Sequence, residues 1–278
     1  MRRRSILSCL AAPLTLLRAR ADELVWRGYL DWLRRQPIDL PDPRSAYLSE
    51  LKRQGLDEHA AQARLSLIER MRRARPDDYQ RAFFDRTYRA TKPRFQSKPN
   101  QLLAETVKSL KPGLALDVHM GQGRNAIHLA RLGWQVTGFD YSEQGVAAAR
   151  KSASSSGVTI QAIVARHEDF DFGRNRWDLI LMSYTWIPLT EQWIARIAGA
   201  LKPGGLLVFE HLMDESGSDN AAAWLPRPNQ LLHAFSALRI LRYEDVRRPA
   251  DWSWRPERVA RLVAEKSEIP PAVHQQPE

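Results

Sequence analysis

Apolar residues in this chain change their spacing near residue 114, and the change divides the sequence in two. Before residue 90 they recur at three- and four-residue intervals, the signature of amphipathic helices. Leu24, Val25, Tyr29, Trp32 and Leu33 form a first stripe that ends at Pro37, and Pro37 to Pro43 reads as a turn. Tyr47, Leu48 and Leu51 mark a second helix, stopped by Gly55. Asp57 is placed to cap a third, with Ala61, Leu65, Leu67, Ile68 and Met71 as its apolar arc. Pro76 and Asp77 open a fourth that carries Tyr79, Phe83, Phe84 and Tyr88, an aromatic set read as core packing. Residues 92–99 (KPRFQSKP) read as a linker, and Asn100 is placed to cap a helix running to Leu110.

From Leu114 the pattern becomes short apolar runs alternating with helix-length stretches. Runs at 114–118, 135–139, 158–164, 177–183 and 206–211 have strand length, with helices predicted at 125–132, 142–156 and 190–201. Strands alternating with helices of this size predict a parallel sheet covered on both faces. After a short helix at 231–235, the runs 238–243 and 259–266 have no helix-length segment between them, which predicts an antiparallel pair at the sheet's edge. The expected fold is therefore α/β: a Rossmann-like, doubly wound, seven-stranded sheet with a terminal antiparallel strand pair, preceded by an all-helical N-terminal extension. The expected boundaries are a leader at 1–21, a helical extension at 22–98, read as a lid, and a catalytic domain at 99–278.

Candidate chemistry sits at the first strand–helix junction. Leu114–Val118 is followed by Gly121-x-Gly123 and then by helical spacing from Asn125. Glycines let the backbone turn sharply and let a ligand approach main-chain N–H groups, while the following helix N-terminus offers unpaired donors. The next strand ends at Asp140, 17 residues beyond Gly123. In a parallel sheet that carboxylate stands at the C-terminal edge beside the loop, where ribose hydroxyls can donate to it. It could equally cap the helix that begins at Ser142, and the two roles are compatible.

Charge narrows the choice of partners. The net charge is +10, but residues 1–100 hold 22 Lys+Arg against 12 Asp+Glu, so the remainder carries 20 of each and is neutral. A phosphate-gripping domain would carry its excess around the site, and the arginines 64, 70, 72, 73 and 75 spread around their helix rather than forming a stripe. No nucleic-acid partner is expected. Cys9 is the only cysteine, so a thiol nucleophile in the body of the chain is excluded, and the seven histidines lack ligand spacing, so no metal is expected. Residues 1–21 combine a basic start, an apolar run from Ile6 to Leu17 and Ala19-x-Ala21, the pattern of a secretory signal peptide. Export is expected if that segment acts as a signal, and a cytoplasmic location if it is retained. No run is long and apolar enough to span a membrane.

Four stretches, ALDVHMGQGRNAIHLA, VTGFDYSEQGVAAAR, DFDFGRNRWDLILMS and LKPGGLLVFE, together resemble the class I S-adenosylmethionine-dependent methyltransferases, in particular the small-molecule branch of tellurite-resistance and thiol methyltransferase-like proteins. The resemblance implies S-adenosyl-L-methionine as cofactor and methyl transfer to a small-molecule acceptor. It further implies that Asp117, Gly121 and Gly123, with His119 and Asn125 in the same loop, shape the pocket around the methionine part. Asp140 would hold the ribose hydroxyls, Tyr141 would flank the adenine, Glu168 or Asp169 would contact the adenine amino group, and Ser183 would face the methyl group. Two departures stand out: His119 occupies the place of the family's first loop glycine, and Arg166 stands where an acid is usual. Tyr184, Glu210 and His211, at the ends of the fourth and fifth strands, are the acceptor-side candidates for a base. Trp186, Trp252 and Trp254 could wall an acceptor pocket. Two other readings fit parts of the pattern: a nicotinamide-dependent oxidoreductase, because Gly121-x-Gly123-x-x-Ala126 also suits a dinucleotide, and a non-catalytic protein that keeps the fold.

Overall fold

A computed structural model of the chain describes residues 11–90, 96–215, 222–251 and 255–267, with side chains described from residue 16. They fall into two compact units divided between Thr91 and Lys92. The expected leader lies partly outside the described residues, as do Trp252 and Trp254; residues 11–21 form the first turns of a helix.

The first unit is helical. Its elements are α1 (Ala11–Arg35), α2 (Pro43–Arg53), α3 (Glu58–Ala74) and α4 (Pro76–Arg89). Asp57 caps α3 as its position predicts, accepting the Ala60 N–H at 2.8 Å. The core is aromatic: Trp26, Tyr29, Trp32 and Tyr47 are buried with Leu33, Leu51 and Ile68, and Tyr29 meets Tyr47 edge-on at 4.9 Å. The α4 aromatics behave differently from their expected role. Phe83, Phe84 and Tyr88 stay half-buried, while Ala82, Asp85 and Arg86 are buried. The polar pair is tolerated because each member is satisfied: Arg34 donates to Asp85 at 3.1 Å, and Arg86 Nε donates to the Pro37 carbonyl at 3.0 Å. Arginines of α3 are likewise engaged by acids, Arg72 by Glu69, and Arg75 just beyond it by Glu23 and Asp78.

The second unit contains α5 (Gln101–Val107), β1 (Leu114–Val118), α6 (Arg124–Arg131), β2 (Gln135–Asp140), α7 (Glu143–Ser155), β3 (Gln161–Val164), β4 (Trp177–Ser183), α8 (Glu191–Ala200), β5 (Leu201–Leu212), α9 (Gln230–Ala234), β6 (Arg239–Pro249) and β7 (Pro256–Glu265). The strands form one sheet in the order β3-β2-β1-β4-β5-β7-β6, parallel through β5 and antiparallel at β7 and β6. The predicted seven-stranded sheet and terminal pair are both present. Strand β5 begins earlier than its apolar run, because Leu201 already pairs with Trp177 before the Gly204 turn interrupts the register.

Alternation along the strands fixes which side chain meets which layer. Leu116, Val118, Ile180, Met182, Leu207 and Phe209 pack on one face with Ile197 and Phe235. Ala115, Leu179, Leu181 and Val208 pack on the other with Leu102, Leu103, Ala126 and Leu129 of α5 and α6. Asp117 and Glu210 continue the second set, so the period itself carries both carboxylates to the α5–α6 side. Both edges of the sheet are guarded: β3 has only four residues, and β6 carries Arg239, Arg242, Arg247 and Arg248.

Candidate functional site

The order of strands reverses its direction of growth between β1 and β4, and open α/β sheets bind ligands at that crevice, beyond the C-terminal strand ends. On its β1–β2 side the chain builds a tight turn from Val118 to Arg124. Gly121 and Gly123 both have positive φ, 54° and 78°. A Cβ on Gly123 would lie 2.8 Å from the Ala149 Cβ, so glycine is needed there for space as well as for conformation. Asp140, buried at the end of β2, braces the turn. Its Oδ2 accepts the Gly121 N–H at 2.9 Å and its Oδ1 accepts the Ser142 N–H at 2.8 Å. Asp140 does not cap α7: Ser142 does so, accepting the Gly145 N–H at 3.1 Å. The shorter serine side chain sits at the last non-helical residue, and the carboxylate two positions earlier is left for the loop.

Asp117 is buried at the end of β1 with Oδ2 unpartnered. Burial pushes its pKa up to about 7, against the attraction of Arg124 and a bond from the Ala126 N–H, while the charge of Asp140 pushes it the same way as burial. His119 has φ 53°. That turn breaks the strand alternation and sends the imidazole to the opposite face from Asp117, with ring centroids 5.6 Å from Phe139, 6.0 Å from Tyr141 and 5.3 Å from His167. Asn125 is buried and turned toward α5: its Oδ1 accepts the Asn100 N–H at 2.8 Å. Glu168 and Asp169 are exposed in the turn after β3, Glu168 paired with Arg166 and His167. Arg166, the departure from the family pattern, thus serves as that glutamate's counter-charge.

The β4–β5 side is organised around Glu210. Its Oε1 accepts from Tyr184 Oη at 2.8 Å and from Asn100 Nδ2 at 2.8 Å, and its Oε2 accepts from Arg261 Nε at 3.0 Å. Arg261 is shared with Glu244, Asn100 also donates to Asp251 at 3.2 Å, and Asp251 is paired with Arg124 at the start of α6. Asn100 Oδ1 caps α5 by accepting the Leu103 N–H at 3.1 Å, as predicted, and its amide nitrogen joins the network, which was not. Tyr184 has φ 57°, so its hydroxyl crosses to the Glu210 face. Burial raises the Tyr184 pKa, and the charges of Glu210 and Asp251 raise it further. The phenol therefore keeps its proton. His211 is buried on the other face, its Nδ1 3.0 Å from the Leu212 carbonyl and its Nε2 unpartnered, and burial pushes its pKa down to about 4. Trp186 stacks on Trp224 at 4.9 Å.

Five of the buried atoms that lack a hydrogen-bond partner share a location. Asp117 Oδ2, His119 Nε2, Ser183 Oγ, Thr185 Oγ1 and His211 Nε2 are buried polar atoms without partners, and all lie at or just beyond the C-terminal ends of β1, β4 and β5. Leaving such a group unpaired costs about 1–3 kcal/mol, and a concentration of them marks a polar ligand's place. Asp251 and Arg261, together with the hub role of Asn100, escaped the sequence reading, since each acts through a partner far away in the chain and none belongs to a local motif.

Residues 115–205 match the family model for a methyltransferase domain. A ubiquinone biosynthesis O-methyltransferase from Bradyrhizobium sp. (strain ORS 278) is 31% identical over 134 residues, covering 45% of this chain and 53% of the relative. The protein of the same name from Roseobacter denitrificans is 29% identical over 171 residues, covering 50% and 66%. The chain thus spans about half to two thirds of the length of these relatives. A solved structure described as "Conversion of a Disulfide Bond into a Thioacetal Group during Echinomycin Biosynthesis" aligns with TM-score 0.52 at 18% identity, covering 66% of this chain and 88% of that one, a likeness of fold. The glycine spacing that also suits a dinucleotide lies inside the matched segment.

Proposed function

We propose that the chain is a class I S-adenosylmethionine-dependent methyltransferase, as its methyltransferase-domain match at 115–205 and its methyltransferase relatives support, and that it transfers a methyl group to a hydroxyl or thiol of a small-molecule acceptor by in-line displacement. The observation that carries this reading is the Asp140 carboxylate braced against the Gly121 N–H at the sheet's switch point. A carboxylate oxygen accepts more than one hydrogen bond, so Asp140 suits a ribose diol. The unpartnered Asp117 Oδ2 suits a cationic or N–H-bearing group, and a cofactor with both fits the residues present. S-adenosylmethionine, when bound, supplies an activated methyl group on a sulfonium.

What remains for the protein is alignment, exclusion of water and one proton. His211 is the base we assign to that proton, because its imidazole is neutral at pH 7 and Nε2 is unpartnered. Tyr184 cannot readily share the role, since its proton is held by Glu210. Glu210 accepts from three donors and acts by fixing Tyr184. The name O-methyltransferase borne by two matched relatives favours oxygen as the methylated atom.

Calorimetric titration of the full chain with S-adenosylmethionine, S-adenosylhomocysteine and NADH tests the reading. The first two are expected to bind and NADH is not. Binding of NADH alone, or of none of the three to folded protein, overturns it.

A further inference from the structure

Among the described residues, non-glycine positive φ occurs at His119, Asn175, Tyr184 and Asn229. Asparagine enters that region readily; a histidine there costs about 1–2 kcal/mol. His119 carries a second cost. Its Nδ1 accepts the Trp186 N–H at 3.2 Å, which bridges the ends of β1 and β4. An accepting Nδ1 places the ring proton on Nε2. Burial favours that neutral form, pushing the pKa down to about 3 with further repulsion from His167. Nε2–H is thus a fixed donor, buried and without an acceptor.

Packing alone does not explain this side chain. The Phe139, Tyr141 and His167 rings around it would accommodate an apolar residue without an unsatisfied N–H, and a glycine would relieve the backbone. What an imidazole adds is one acceptor that holds the β4–α8 loop in place and one donor left over beside the glycine turn.

Resting on the methyltransferase reading, we infer that His119 is a cofactor-positioning residue whose Nε2–H donates to an oxygen of bound S-adenosylmethionine, either of the methionine carboxylate or of the ribose. The family's glycine offers only close backbone approach at this position; here a side-chain donor takes its place.

Three variants separate the donor, the acceptor and the backbone turn at position 119. His119→Asn keeps an acceptor near the Nδ1 position and suits a positive φ, but has no donor at Nε2. His119→Gln reaches the Nε2 position with an N–H, and His119→Gly lacks both groups. By calorimetry with S-adenosylhomocysteine, His119→Asn and His119→Gly are expected to bind roughly 10-fold more weakly than the parent, the loss of about one hydrogen bond, with thermal stability equal or higher. His119→Gln recovers part of the affinity. In the parent, the ring Nε2–H proton resonance is expected to move downfield on adding S-adenosylhomocysteine. Repeating the titrations with 5′-methylthioadenosine locates the oxygen: a loss with both ligands assigns the ribose, and a loss with S-adenosylhomocysteine alone assigns the carboxylate. Parent-like or tighter binding by both His119→Asn and His119→Gly, with no shift of the ring proton, overturns the inference while leaving the methyltransferase reading intact. Failure of the parent to bind either methionine-derived ligand overturns both.

Discussion

The two sides of the crevice are built by opposite means. On the β1–β2 side, one carboxylate and two glycines within a span of 20 residues organise backbone N–H groups. On the β4–β5 side, five buried or half-buried side chains, Asn100, Tyr184, Glu210, Asp251 and Arg261, are linked by hydrogen bonds across most of the domain, with Asn100 and Glu210 110 residues apart. The first arrangement presents the main chain to a ligand and depends on space. The second presents side chains and depends on every member being present, because a buried network is costly when half satisfied.

The contrast is broken most severely at Glu210. Glu210→Ala leaves Arg261 buried with Glu244 as its remaining close partner and takes one hydrogen bond each from Tyr184 and Asn100, and is expected to lower unfolding stability by roughly 3 kcal/mol; denaturant melts check this, and a loss under 1 kcal/mol would show that the network contributes little. Asp140→Ala, on the other side, is expected to weaken S-adenosylhomocysteine binding about 100-fold by calorimetry, about 2.7 kcal/mol, with a smaller effect on stability. Equal damage to stability and binding in both variants would erase the distinction.

A smaller effect, on the first side, follows from the proton on Asp117. Asp117 holds its proton more tightly folded than unfolded, so the folded state binds more protons between the ordinary carboxylate range and about pH 7, and stability falls as pH rises through that window. Between pH 6 and 8 the parent should lose about 1 kcal/mol that Asp117→Asn does not, a difference readable from urea melts at the two pH values. The smallest effect sharpens the other side: Tyr184→Phe removes one of Glu210's three donors and should cost about 0.5–1.5 kcal/mol, with calorimetric S-adenosylhomocysteine affinity within threefold of the parent.

How far each side is legible in the sequence follows from the same contrast. Asp117, Gly121, Gly123 and Asp140 announce themselves because a strand, a glycine turn and a strand-end carboxylate are local patterns with a period. The seven strands were readable for the same reason, including the terminal pair with no helix between its members. Asn100 was readable only as a helix cap, since its cap partner Leu103 is three residues away while its network partners are 110 and 151 residues away. The backbone turns at His119 and Tyr184 have no signal in the apolar pattern: alternation predicts the face of a side chain only while the chain stays extended, and both residues leave the extended region at the step where they become useful. The α4 aromatics illustrate the converse, a periodic apolar set whose neighbours Asp85 and Arg86 took the buried positions by pairing with Arg34 and the Pro37 carbonyl.

The open rims of the sheet bear on how the protein behaves in company. An unpaired strand edge is a template for another chain, and proteins discourage such pairing with short or charged edge strands. Here β3 offers a template of four residues, and at the far rim any incoming strand would have to lie along Arg239, Arg242, Arg247 and Arg248 and strip water from them. The antiparallel hairpin that completes the fold therefore also terminates it, leaving the parallel centre free to hold a reactive crevice without inviting further strands to join.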